Sequence, residues 1–239
     1  MMKNQGNPTG VIGNTSRPSS YHRGGRCGTP FYNEAPRPVR YNVGVMSYTA
    51  DQRRVLLNVA RNAIRGTLSG QPPAAPILEH VNDAALRALA GCFCSLHEIE
   101  LRRLRGCVGR LEARDPVLIA VHDAAVSVLG DPRFDDLRVT IDDLCLIELE
   151  LTVLSPLRDA AHILDFDPQL HGIYLTLAGR SGCFLPQVAR ETGWGREQLL
   201  DRLCVEKLGL PSRAWRHPTA KLQIFDAEII GPEAFLIRG

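Results

Sequence analysis

Residues 144–154, Leu-Cys-Leu-Ile-Glu-Leu-Glu-Leu-Thr-Val-Leu, alternate apolar and polar side chains with the period of two that belongs to a half-buried strand. Ile147, Leu149, Leu151 and Val153 fall on one side, Glu148, Glu150 and Thr152 on the other. Such a strand requires hydrogen-bonded neighbours and a layer over its apolar face. The chain supplies both. Cys92 to His97 reads as a strand, 98–103 as a polar loop, and Leu104 to Gly109 as the antiparallel return. A second hairpin is predicted from His171 to Leu177, through a turn at 178–182, into Cys183 to Leu185, and one more strand at 221–230.

The covering layer is helical. Val55, Leu56, Val59, Ala63 and Ile64 recur at helical spacing over 50–68, with Thr49 and Gln52 as a capping box and Gly70 as the stop. Asp115 and Pro116 read as the N-cap and first turn of a second helix, whose stripe of Val117, Leu118, Val121, Ala125, Val128 and Leu129 runs to Gly130. Shorter helices are predicted at 187–192 and 196–207. The mixture is α+β, mainly antiparallel sheet flanked by helices.

Residues 1–45 differ in kind. They hold seven glycines and five prolines and lack aliphatic periodicity, so they are expected to be a disordered tail, with Met46 as the true start and 46–239 as the folded domain. Six basic side chains and one acidic one lie in that tail, against 22 basic and 25 acidic in the rest, which makes nucleic acid the weakest of the partner readings. No apolar run approaches the roughly 20 residues of a membrane span, and a cytoplasmic location is expected. Seven cysteines without a CxxC pair indicate reduced thiols, and neither a metal nor a cofactor is expected. Cys92 and Cys94, two apart on a strand, share a face and could in principle grip a soft metal together with Cys107.

The stretch Leu104-Arg105-Gly106-Cys107-Val108-Gly109 marks a site, for it sets one thiol between two glycines and two residues from a guanidinium. Arg105 and Cys107 share a face if the segment is a regular strand. Asp131-Pro132-Arg133-Phe134 offers a turn cap, an aromatic anchor and a second guanidinium that could join Arg105 around one anion. A charged side chain in a glycine-rich strand needs a partner, and for Arg105 that is Glu150 or a bound anion.

Taken in order, LRGCVG at 104–109, DPRF at 131–134, LELTVLSP at 149–156, HG at 171–172, LPQV at 185–188, GW at 193–194 and LC at 203–204 resemble the AMMECR domain family, called AmmeMemoRadiSam system protein A in prokaryotes. The resemblance spans about residues 50–230. It implies a two-lobed domain whose larger lobe holds both chain ends, with the RGC motif lining a cleft between the lobes. It also implies two partners, a Memo-like protein and a radical S-adenosylmethionine enzyme. Cleft residues carried over are Arg105, Gly106, Gly109, Asp131, Arg133, Phe134 and Gln187, around Cys107, Glu150 and His171.

Two classes of function fit these residues. In one, Cys107 acts in thiol-dependent group transfer or modification: Arg105 and Arg133 stabilise its thiolate, His171 or Glu150 moves protons, and the glycines admit substrate. In the other, the cleft is a non-catalytic adaptor that holds a small anionic ligand or a peptide for the partners, and Cys107 is packing. Phe134 and Trp194 serve equally well as core anchors, and Asp131 as a turn cap.

Overall fold

The computed structural model describes residues 47–71 and 74–235, so the expectations for the tail and for Met46 lie outside the described residues. Helices α1 (Ala50–Leu68), α2 (Ala84–Arg87), α3 (Val117–Ser127), α4 (Pro186–Thr192) and α5 (Arg196–Leu203) accompany eight strands. Four strands, β1 (Leu89–Glu98), β2 (Leu104–Pro116), β3 (Ile147–Leu154) and β8 (Ala227–Ala234), form the larger sheet in the order β2-β1-β3-β8. The smaller sheet is β4 (Arg158–Asp159), β7 (Lys221–Phe225), β5 (Gly172–Leu177) and β6 (Arg180–Phe184), in the order β4-β7-β5-β6. Neighbouring strands run antiparallel throughout.

Burial follows the alternation. Leu56, Ala60 and Ile64 of α1 and Leu118, Val121 and Ala125 of α3 pack on Cys92, Cys94 and Leu96 of β1 and on Leu149, Leu151 and Val153 of β3. The smaller lobe has its own core, in which Ile173, Leu175 and Ile224 meet Leu199, Leu200, Leu203 and Trp215. Both the first helix and the last strand belong to the larger lobe. A third, smaller cluster draws on both sheets: Leu154, Phe225 and Ala227, with Phe93, Leu111, Tyr174, Cys183 and Leu185 against them. No helix among the described residues is long and apolar enough to cross a membrane.

Local chemistry explains most boundaries. The Thr49 hydroxyl accepts from the Gln52 N–H at 3.2 Å and the Gln52 side chain accepts from the Thr49 N–H at 2.8 Å, closing the capping box at the start of α1. Three expectations are corrected. Asp115 is not a helix cap: β2 keeps pairing with β1 out to Pro116, and the Asp115 carboxylate pairs with Arg110. The second hairpin turns on Ala178 and Gly179 alone, both with positive φ, the tight form that matches strand twist, so β6 begins at Arg180. Finally, 221–230 is two strands. The chain leaves the smaller sheet at Phe225 and enters the larger one at Ala227, with Asp226 between them.

Candidate functional site

With Cys92, Cys94 and Leu96 committed to the helical core, the alternate residues of β1, Phe93, Ser95 and His97, face the other way. Register then builds a row across three strands: Cys107 on β2 lies opposite Ser95, and Ser95 lies opposite Glu150 on β3. The rows on either side are Gly109, Phe93 and Thr152, and Leu104, His97 and Glu148. The Ser95 hydroxyl donates to the Cys107 sulfur at 3.2 Å. Two strand spacings put the Cys107 and Glu150 backbones about 10 Å apart. Glu148 on the same face is paired with Arg102 at 2.9 Å. Burial raises the Glu150 carboxyl above the ordinary carboxylate range; Glu148 and, from α4, Glu191 push it further up, against the pull of Arg102. This face therefore looks toward the smaller lobe, whose Tyr174, Cys183 and Leu185 close the apolar end near Phe93 and Leu111.

β2 is the edge of its sheet, so backbone groups of Cys107 that point outward need other partners. The DPRF turn supplies them. The Cys107 N–H donates to Asp131 Oδ2 at 3.0 Å, and Arg133 Nη2 donates to the Cys107 carbonyl at 2.7 Å. Arg133 in turn grips Asp131 through Nε at 3.0 Å and Nη2 at 2.7 Å. That guanidinium, with the N–H groups of Cys107 and Arg133, holds the buried Asp131 carboxyl far below its usual range. Arg133 also lies over the Phe134 ring, 5.5 Å from its centroid.

Arg105 does not meet Glu150. It donates to the Leu137 carbonyl at 3.1 Å and lies 3.8 Å from Asp143, because the strand register shifts between Leu96 and His97 and breaks the simple alternation of 105 with 107. Each guanidinium thus already holds a carboxylate and a carbonyl. The glycines likewise serve packing: a Cβ on Gly106 would come within 2.9 Å of Val128, and one on Gly109 would overlap the β1 backbone at Cys92 and Phe93. Cys92 and Cys94 are buried on the face opposite Cys107, so the three thiols do not converge, and burial pushes the Cys92 thiol up to about 12. Among the described residues no group of three or more His, Cys, Asp or Glu side chains is placed to hold a metal ion.

His171 stands elsewhere. Its Nδ1 accepts from the Asp167 N–H at 3.0 Å and its Nε2 lies 3.9 Å from Asp226, whose carboxylate Arg158 holds at 2.8 and 3.0 Å. This cluster sits where the chain passes between the sheets. Gln187, in the first turn of α4, has its Oε1 buried without a hydrogen-bond partner, and the same is true of His97 Nδ1. Trp194 carries the Arg202 guanidinium over its ring at 5.1 Å.

The AMMECR1 family model matches residues 57–230, which include every residue of the Cys107 row and its clamp. The chain belongs to the AMMECR1 family. Among its relatives, Protein MJ0810 of Methanocaldococcus jannaschii is 35% identical over 58% of this chain and 71% of its own length. Protein MK0488 of Methanopyrus kandleri is 32% identical over 77% of this chain and 90% of its own. The crystal structure of PH0010, an uncharacterized protein from Pyrococcus horikoshii, superposes with a TM-score of 0.61 at 29% identity, covering 73% of this chain and 88% of that one.

In this AMMECR1 chain, then, Cys107, Ser95 and Glu150 share one row of the sheet, Asp131 and Arg133 hold the Cys107 backbone, Arg105 pairs with Asp143 and the Leu137 carbonyl, and His171 joins Asp167 and Asp226 instead. Sequence reasoning missed Ser95 and His97 on the face that carries Cys107 and Glu150, and the influence of Glu191 on Glu150. Ser95 and His97 are the polar positions of the same alternation that buries Cys92, Cys94 and Leu96, a signal present in the sequence; Glu191 depends on how α4 packs.

Proposed function

We propose that this chain is the thiol-bearing component of a modification system that works with a Memo-like protein and a radical S-adenosylmethionine enzyme, and that Cys107 carries out group transfer in the cleft. The supporting observation is the Ser95 hydroxyl donating to the Cys107 sulfur at 3.2 Å, a bond that fixes the sulfur on the polar face of the sheet. Fixed backbone geometry adds to it, since Asp131 and Arg133 hold both the N–H and the C=O of Cys107. The sulfur bonds to an electrophilic carbon as that carbon's bond to its leaving group breaks, and the thiol proton departs with the leaving group. Glu150, its carboxyl raised by burial and by Glu148, is the group on the same face that accepts or returns the proton. The two partners rest on family resemblance.

A second reading, a non-catalytic adaptor that holds a ligand or peptide for those partners, draws on the unpartnered Gln187 Oε1 and His97 Nδ1, polar atoms that a bound molecule would satisfy. One experiment separates the two. The chain is co-expressed with the Memo-like and radical enzymes of its own genome, and the intact mass of each partner is measured. A mass change that appears with the wild type and vanishes with Cys107→Ser supports thiol transfer. A change that persists with Cys107→Ser overturns it and leaves the adaptor.

A further inference from the structure

A cavity of about 410 Å³ opens on the smaller lobe. Leu177 and Ala178 of the β5–β6 hairpin line it, together with Leu210, Arg213, Ala214, His217 and Thr219 from the segment that leads into β7. Its walls are held by bonds made outside it. Arg180, just past the hairpin turn, donates through Nη1 to the Leu208 and Gly209 carbonyls at 2.8 and 2.9 Å, which ties the hairpin to the start of that segment. From α5, Asp201 Oδ1 accepts from the Arg213 N–H at 2.9 Å and from Trp215 Nε1 at 2.7 Å. A space of this size with walls already in place suits a small molecule.

The lining has two parts. Leu177, Leu210 and Ala214 form the apolar part, continuous with the core of the smaller lobe. The polar part offers donors. Each of the other arginines of this lobe, Arg158, Arg180, Arg190, Arg196, Arg202 and Arg216, has an acceptor, whereas the Arg213 guanidinium makes no hydrogen bond or ion pair among the described residues. His217 adds a second donor, because its Nδ1 accepts from the Thr219 N–H at 3.2 Å and so leaves the ring proton on Nε2. No carboxylate lines the cavity. The backbone singles out the same place: Ala178 (φ 53°) and Arg213 (φ 66°) are two of the three non-glycine residues with positive φ among the described residues. A Cβ in that conformation costs energy, and the turn that holds Ala178 ordinarily takes Asn, Asp or Gly. Both side chains are cavity lining nonetheless.

We infer that this cavity binds a small apolar monocarboxylate, with its carboxylate on the Arg213 guanidinium and His217 Nε2–H and its hydrocarbon body on Leu177, Leu210 and Ala214. One guanidinium and one neutral imidazole match a single negative charge. A phosphate dianion would stay half neutralised over an apolar floor. The site is separate from the Cys107 row and independent of the function read there.

The test is an NMR titration of the full chain at about 0.15 M salt, where attraction between distant surface charges is screened. Four probes are compared: phenylpropionate, its neutral amide, the cation phenylpropylammonium, and acetate, which has the charge without the body. Phenylpropionate is expected to shift the amides of Ala178, Ala214 and Thr219 and the other three probes to leave them in place. Arg213→Gln should weaken binding by about tenfold while keeping the wild-type urea midpoint, since the side chain it replaces has no partner to lose. Arg216→Gln, which removes an equal charge from outside the lining, should bind as the wild type does. Absence of shifts at about 10 mM phenylpropionate, equal binding of any of the other three probes, or equal losses in Arg213→Gln and Arg216→Gln overturns the inference.

Discussion

A methyl group at Gly109 would be driven into the Cys92 carbonyl and the Phe93 Cα of the paired strand, atoms that cannot retreat without breaking the ladder. Gly109→Ala is expected to cost about 1–3 kcal/mol in urea unfolding, whereas a glycine kept only to admit a ligand would tolerate it. Asp131 gives a test with a sign. Its carboxyl is held far below the value of about 3.9 that it has in the unfolded chain, first by Arg133, so the stability it contributes is complete above that pH and is lost as pH falls through the lowered value. Asp131→Asn is therefore predicted to be less stable than wild type at pH 7, with the deficit shrinking on acidification; a constant deficit would contradict the clamp. Glu150 runs the other way. Its folded pKa is raised, so its ionisation penalises the fold increasingly as pH rises above the unfolded value of about 4.3, and Glu150→Gln should unfold at higher urea than wild type at pH 8 but not at pH 4. Of these residues, Cys107 and Glu150 were legible in the sequence as site candidates, because a thiol between glycines and a carboxylate on the polar face of an alternating strand stand out locally. The partners of Arg105 were not, since they lie more than 30 residues away and depend on a register shift that alternation cannot reveal.

At the level of elements, period-two and period-3.6 patterns placed β1, β3 and α1 well, ended β2 short at Gly109 and started α3 too early at Asp115, and failed where the apolar pattern runs on through a change of partner. Lys221 to Ile230 reads as one strand because nothing in its composition interrupts it, yet Asp226 divides it between two sheets. The division is fixed by tertiary bonds: the Ser155 N–H donates to the Asp226 carbonyl at 3.0 Å, the Asp226 N–H donates to the Ser155 hydroxyl at 2.9 Å, and Arg158 closes on the carboxylate. His171 belongs to this joint, and Gly172 beside it leaves room for the Phe225 ring. The LSP and HG motifs thus explain one another as the fastening between the two sheets. Asp226→Ala removes the carboxylate from Arg158 and His171 and is expected to cost about 2–4 kcal/mol, read as a drop in urea midpoint. Its effect on Cys107 reactivity should be small beside that of Ser95→Ala. A large, selective loss of thiol reactivity in Asp226→Ala at full stability would place His171 back at the reacting centre.

For the whole molecule, the polar row is assembled by register: Cys107, Ser95 and Glu150 are distant in sequence and adjacent only because β2, β1 and β3 pair as they do. Fold class was readable from local periodicity, and membership of the family from the order of its motifs. The place of Ser95 on the polar face was legible in the alternation of β1, but its bond to Cys107 depends on how β1 pairs with β2. The central claim is that this serine makes Cys107 the reactive thiol. It is tested most directly by peptide mapping of iodoacetamide modification in the folded chain, comparing wild type with Ser95→Ala. Cys107 should be alkylated well ahead of the buried Cys92 and Cys94, and Ser95→Ala should slow its modification by about tenfold without lowering the urea midpoint in proportion. Equal rates in the two proteins, or a Cys107 that stays unmodified until the chain unfolds, would contradict it.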